Sequence, residues 1–248
     1  KAIASQLAKE LGIHCYENRI LTLASQLSGL DENVFQEVNE KLREDNDSKF
    51  VILDTEFLKT LDAENICSGY AEMLKHGLIS TEAMWEELVS FDLANPDLKQ
   101  LQRMVGDSVK VKERIVEQDP HEKGIRKALN LGHTFGHAFE SWALKRKPIL
   151  HGYAVAFGLI PELYLSVAKT GFPTEKMRQT VTFIKENYGT LNITCDDYDE
   201  LIELMHHDKK NQNGIINFTM MGAIGDIRIN QTATTEEIKE ALDFFREG

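Results

Sequence analysis

Asn130-Leu131-Gly132-His133-Thr134-Phe135-Gly136-His137-Ala138, followed by Leu150-His151-Gly152, is the stretch on which the reading of this chain turns. Three of the eight histidines fall within the nineteen positions from His133 to His151. His133 and His137 are four apart in a helical pattern, so their imidazoles leave one helical face about one turn apart. His151 follows after a short basic loop that contains Pro148. Imidazole is the commonest metal ligand and the side chain that most readily moves protons near neutral pH. Gly132 and Gly136 remove bulk beside the histidines, which lets another backbone or a ligand approach.

Working outward, the 248 residues are 42% hydrophobic and 27% charged, as in soluble globular proteins. No apolar run reaches the ~20 residues of a membrane span, and the first residues lack the pattern of a signal peptide. Cys15, Cys67 and Cys195 are odd in number and far apart, which argues against a disulfide framework and for a reducing cytoplasm. A net charge of −12 without a basic tract argues against nucleic acid. A local cluster can still bind a small anion, and Lys75, Lys112, Arg126, Lys209 and Lys210 are the candidates.

The pattern predicts a mainly α fold. Residues 1–47 read as three short helices, over 2–11, 19–27 and 32–43. Residues 50–53 read as a short buried strand. Further helices are expected over 69–79, 81–91, 97–118 and 128–144, the last carrying the histidine pair. The segment 153–169 is apolar nearly all round, so it reads as a central helix interrupted at Pro161. Helices from Thr174 to 187 and from Asp197 to about 207 follow. Residues 215–221 and 224–229 read as a hairpin turning at Gly222-Ala223. Thr234 and Glu237 form a capping box for a final helix over 236–246.

Two histidines at i, i+4 can share one metal, but Thr134 and Phe135 stand where a zincin carries its glutamate. One histidine on a metal and the other moving protons is a second option, and two satisfied core histidines a third. Glu72 and Lys75 share a face of an apolar helix within Ser68-Gly69-Tyr70-Ala71-Glu72-Met73-Leu74-Lys75-His76. A carboxylate there needs a cation, a donor or a metal. An i, i+3 ion pair satisfies it; so does a His2Glu set of three ligands, the catalytic zinc arrangement with one open position. Lys112, Arg126 and Asn130 suit a polyhydroxy anion, the cations taking carboxylate or phosphate and the amide taking hydroxyls. The alternating charges of 112–126 equally suit a solvated helix end. Lys209 and Lys210 suit phosphate, or a helix C-terminus.

Taken in order, Asp54-Thr55-Glu56-Phe57-Leu58-Lys59-Thr60-Leu61, the Ser68–Gly77 motif, 126–137, His151-Gly152 and Asp208-Lys209-Lys210-Asn211 resemble the 3-dehydroquinate synthase family, from about Phe50 onward. The resemblance implies an NAD-dependent, zinc- or cobalt-dependent lyase that turns 3-deoxy-D-arabino-heptulosonate 7-phosphate into 3-dehydroquinate and phosphate. It implies the helical metal-binding C-terminal domain of that fold, a small anionic sugar-phosphate substrate, and a homodimer. It assigns Glu72, His133 and His151 to the metal, and His137, Glu122 and Lys75 to catalysis. Lys75, Lys112, Arg126, Asn130 and Lys209 would hold substrate, and Phe57, Leu58, Lys59 and Thr60 would touch the dinucleotide. Tyr153 and His76 depart locally from the family pattern, where many members have glutamate and tyrosine.

The family's first half carries a Gly-Gly-Gly phosphate loop, whereas no two glycines are adjacent here. Residues 1–47 are instead weakly similar to a cytidylate-kinase-like protein. The expected organisation is therefore a kinase-like helical segment over 1–47, a strand and cofactor-contact loop over 48–65, and a metal- and substrate-binding domain over 66–248. On this reading the chain alone neither holds NAD nor turns over. A related sugar-phosphate cyclase, a metal-dependent polyol dehydrogenase and a non-catalytic helical module are the competing readings.

Overall fold

The structure is a computed structural model that describes residues 15–16, 51–52, 58–207 and 215–247. The helices expected within 1–47, and the residues 53–57 and 208–214 with Phe57, Lys209 and Lys210, lie outside the described residues. Strand β1 (Cys15–Tyr16) pairs antiparallel with β2 (Val51–Ile52), Cys15 opposite Ile52. Β-structure at 51–52 agrees with the strand expected over 50–53.

The helical body starts with α1 (Ala63–Leu78), capped by Asp62, whose carboxylate accepts from Asn65 N–H at 2.8 Å. It begins six residues before the expected start because that cap lies upstream of the apolar pattern. Next come α2 (Glu82–Val89), capped by Thr81, and α3 (Leu98–Gln118), capped by Asp97. A 3-10 turn (Ile125–Asn130) precedes α4 (His133–Leu144). Thus the single helix expected over 128–144 is broken. Gly132 has φ +80, a left-handed conformation that ends the turn and redirects the chain.

Helix α5 (His151–Thr170) runs unbroken through Pro161, contrary to expectation. One lost backbone hydrogen bond and a ring clash cost ~3 kcal/mol in a helix. Burial of Ala154 through Leu163 on all sides outweighs it. Helices α6 (Thr174–Tyr188), α7 (Tyr198–His206) and α8 (Thr235–Glu247) complete the described set. The capping box expected at Thr234 is present: Glu237 N–H donates to Thr234 Oγ1 at 3.2 Å, and Thr234 N–H to Glu237 Oε2 at 2.7 Å.

The hairpin is β3 (Asn217–Ala223) against β4 (Asp226–Thr232), turning at Ile224-Gly225 rather than at Gly222. Docking decides that shift, since Gly225 N–H donates to Leu78 O at 2.9 Å, at the end of α1. Helix α5 is the hub: it packs on α1, α4, α6, α8 and β3. Its contacts with α1 and α4 are made backbone to backbone. A Cβ on Gly152 would lie 1.8 Å from Ser68 O, and one on Gly158 would lie 2.1 Å from Gly132 O. That closeness brings residues of three helices into one site.

Candidate metal centre

Glu72 projects from the middle of α1, His133 and His137 from the first turns of α4, and His151 from the start of α5. The expected shared face of His133 and His137 is observed, with ring centroids 5.3 Å apart. One ligand atom from each of His133, His137 and His151 falls within 4.8 Å of the others. Glu72 Oε1 lies 3.2 Å from His133 Nε2 and 4.0 Å from His151 Nε2. Glu72 Oε1 therefore borders the three-histidine cluster on its His133 and His151 side.

The hydrogen bonds around these groups fix which atoms face inward. His133 Nδ1 lies 3.1 Å from Leu131 O. A carbonyl only accepts, so Nδ1 carries a proton and Nε2 is the ring atom that faces Glu72. Glu72 Oε1 is buried and makes no hydrogen bond. Two acceptors at 3.2 Å repel unless a proton or a metal ion lies between them, and a buried, uncompensated acceptor costs ~1–3 kcal/mol or more when charged. His151 Nδ1 meets Glu140 Oε2 at 3.0 Å, which leaves its Nε2 to face Glu72 Oε1. This carboxylate–histidine pairing is how metal-bound imidazoles are oriented. The donor set of two nitrogens and one oxygen fits zinc or cobalt.

Charge is arranged to match. Burial alone would push the Glu72 carboxyl up, but the Lys75 ammonium and then His133 hold it well below the usual carboxylate range. Lys75 Nζ donates to Glu72 Oε2 at 2.6 Å and to Leu129 O at 2.8 Å, and is itself buried. The i, i+3 ion pair is thus made through one oxygen of Glu72, while the other faces the histidines. Burial opposes protonation of His151, yet the Glu140 hydrogen bond and charge, with Glu72 behind them, raise its pKa above the ordinary histidine value. His76 is buried with Nδ1 2.6 Å from Ser108 Oγ. Burial first, then the Lys75 charge, hold it well below the usual range, so it is neutral.

The other candidates stand on the neighbouring loop. Asp119 accepts the backbone N–H groups of Gly124 at 2.7 Å, Lys123 at 3.0 Å and Arg126 at 3.1 Å. This folds 119–126 into a tight turn in which Glu122 takes φ +55, a conformation that costs a non-glycine residue ~1–2 kcal/mol. So placed, Glu122 accepts from Asn130 Nδ2 at 2.8 Å. Arg126 donates to Pro120 O at 2.8 Å. Leu129 O, bonded to Lys75, ties this turn to the Glu72 side of the cluster. Lys112 is half-buried on α3, close enough to His76 for its charge to act there. Leu58 is half-buried and Lys59 and Thr60 exposed, just ahead of α1.

Two carboxylates escaped the sequence reading. Glu140 lies seven residues beyond His133, two helical turns on the same face, a spacing that marks a partner for this cluster. Glu162 is the one charged residue of the apolar stretch 154–165. Like Glu72, it is a lone carboxylate among apolar residues and needs donors.

A family model described as 3-dehydroquinate synthase C-terminal matches residues 69–211. A 3-dehydroquinate synthase of Parabacteroides distasonis is 59% identical over 199 residues, covering 80% of this chain and 56% of that protein. The chain spans about half the length of the curated relatives it matches. Two solved structures share the fold. One is a 2-epi-5-epi-valiolone synthase from Streptomyces hygroscopicus with NAD+ and Zn2+ bound (TM-score 0.66, 21% identity, 78% of this chain and 54% of that one). The other is a 2-deoxy-scyllo-inosose synthase complexed with carbaglucose-6-phosphate, NAD+ and Co2+ (TM-score 0.64, 22% identity, 81% of this chain and 59% of that one). No helix among the described residues is long and apolar enough to cross a membrane.

Proposed function

The chain belongs to the 3-dehydroquinate synthase family, and on that premise we propose that it carries the metal and substrate site of a 3-dehydroquinate synthase. The reaction is the carbon–oxygen lyase step of the shikimate pathway, from 3-deoxy-D-arabino-heptulosonate 7-phosphate to 3-dehydroquinate and phosphate. The observation that carries the proposal is Glu72 Oε1, buried without a hydrogen bond and facing His133 Nε2 and His151 Nε2.

Glu72, His133 and His151 are the residues that would hold zinc or cobalt, with one position open for substrate. A divalent ion there supplies Lewis-acid polarisation of a substrate oxygen. His137, half-buried one turn along α4, is left to move a proton at a substrate hydroxyl. Its half-exposed ring can be hydrated, whereas Glu72 Oε1 cannot, which favours the glutamate over His137 as the third ligand. Asn130, held by Glu122, offers hydroxyl contacts; Lys112, Arg126 and Lys75 offer the positive charge for carboxylate, and Lys209 for phosphate. The described residues contain no glycine-rich strand-to-helix turn for a dinucleotide. By the resemblance to the family, Phe57, Leu58, Lys59 and Thr60 would touch NAD, and turnover by this 248-residue chain alone is not expected.

The test supplies the purified chain with zinc, NAD and the heptulosonate phosphate, alone and with the N-terminal half of the Parabacteroides distasonis relative added. Dehydroquinate formation only with the added half is expected. Turnover by the chain alone refutes its dependence on that half, and cyclisation of glucose 6-phosphate in preference to the heptulosonate phosphate refutes the substrate.

A further inference from the structure

Helix α4 starts without a cap of its own. Its N-cap residue is Gly132, which has no side chain to offer the orphaned N–H groups of the first turn. Glu162 supplies what is missing from across the helix interface. Its Oε2 accepts from Gly132 N–H at 2.6 Å, and its Oε1 from Thr134 N–H at 2.9 Å and Phe135 N–H at 3.3 Å. Glu162 is fully buried. A carboxylate at a helix N-terminus is favoured by the aligned peptide dipoles as well as by the hydrogen bonds themselves.

These three donors bracket His133. The peptide at Gly132 precedes it, and those at Thr134 and Phe135 follow it, so the backbone that aims its imidazole is clamped on both sides. Glu162 sits eleven residues, three helical turns or about 16 Å, beyond His151 on the same helix. At its other end, α5 is capped by Ser68 of α1, whose Oγ accepts Gly152 N–H at 3.2 Å. Ser68 lies one turn from Glu72. One rigid helix thereby sets the spacing of all three ligands, receiving a cap at the His151 end and giving one at the His133 end.

We propose that Glu162 is a positioning residue of the metal centre, acting through the first turn of α4 on His133. The inference rests on the reading of Glu72, His133 and His151 as metal ligands. Glutamine at this position keeps the volume but sets an amide NH2 against backbone N–H donors, so one side of the clamp is lost. Loss of a partner that orients a ligand typically weakens metal binding about 10–100-fold.

Cobalt(II) titration, followed by the visible d–d absorption, is carried out on the wild-type chain, Glu162→Gln, Glu162→Asp and Ser166→Ala. Ser166 is the control: its Oγ donates to Glu162 O at 2.7 Å and accepts Met221 N–H at 3.0 Å, so its loss loosens α5 without touching the clamp. Urea unfolding of the metal-free proteins ranks their stabilities. The expected result is a cobalt dissociation constant raised about 10–100-fold in Glu162→Gln with an altered d–d spectrum, and one close to wild type in Ser166→Ala. Should Glu162→Gln not fold, Glu162→Asp, with a shorter arm, is expected to fold and to bind cobalt more weakly than wild type. Wild-type affinity and spectrum in the folded Glu162 variants overturn the inference, as does weakening in Ser166→Ala that matches Glu162→Gln at equal stability. A wild-type chain that binds no cobalt overturns the metal reading itself and the inference with it.

Discussion

Replacing Gly152 with alanine drives a methyl group into the backbone of α1. The new Cβ would lie 1.8 Å from Ser68 O, 2.5 Å from Ser68 C and 2.7 Å from Ser68 Cα. These are main-chain atoms, so no side-chain rotation relieves the overlap. Restoring ordinary contact at 3.4 Å requires α1 and α5 to part locally by about 1.6 Å. Overpacking of this kind costs ~1–3 kcal/mol, and loss of the Gly152 N–H bond to Ser68 Oγ adds ~0.5–1.5 kcal/mol. The same displacement widens the 4.0 Å gap between Glu72 Oε1 and His151 Nε2, because Ser68 is one turn from Glu72 and His151 adjoins Gly152. Metal–ligand distances tolerate only ~0.2 Å. Gly152→Ala is thus expected to lower stability by about 1.5–4.5 kcal/mol and cobalt affinity by on the order of 100-fold. Urea unfolding followed by circular dichroism reads the first, and cobalt titration the second. A variant with wild-type unfolding midpoint and wild-type cobalt affinity would refute the claim that backbone contact between α1 and α5 sets the site.

Lys75→Met leaves Glu72 Oε2 without its partner, and breaking a buried pair costs ~3–5 kcal/mol. Zinc is expected to restore part of that loss by compensating the carboxylate, so an equal loss of stability with and without zinc argues against Glu72 as a ligand. Gly106 lies within α3, where an added Cβ meets nothing within 4 Å, so Gly106→Ala is expected to raise stability by ~0.5–1 kcal/mol; a lower unfolding midpoint contradicts it. Burial pushes the Tyr153 hydroxyl up to about 12 from its ordinary 10.0. Its contribution to stability is complete below pH 10 and is lost as pH rises toward 12, because the unfolded chain gives up the proton first. The decline of the urea midpoint over that range is expected to be shallower in Tyr153→Phe, and an unchanged slope counts against the assignment.

What was legible in the sequence was local. Asp97, Thr81 and the Thr234–Glu237 box announce helix starts through bonds that span three residues or fewer, and each is found where its spacing puts it. The convergence of α1, α4 and α5 was partly legible as well, because glycine beside histidine signals a close approach. Long-range packing was not. Pro161 reads as a break until its helix is seen buried on all sides, and residues 128–144 read as one helix until Gly132 turns left-handed. The hairpin turn moved from Gly222 to Gly225 because the turn docks on Leu78, a residue 147 positions away in sequence. Glu140 and Glu162 were passed over for the same reason: the donors of each come from the other's helix, and only the fold brings them together.

The central claim is that Glu72, His133 and His151 hold one divalent metal ion while His137 stands outside its coordination sphere. Anomalous difference density at the zinc edge, from crystals of the chain grown with zinc, tests it most directly. The account predicts a single peak at roughly 2.0–2.2 Å from Glu72 Oε1, His133 Nε2 and His151 Nε2, with His137 beyond bonding distance. A peak ligated by the three histidines with Glu72 left on Lys75, or no peak between these residues, would contradict it.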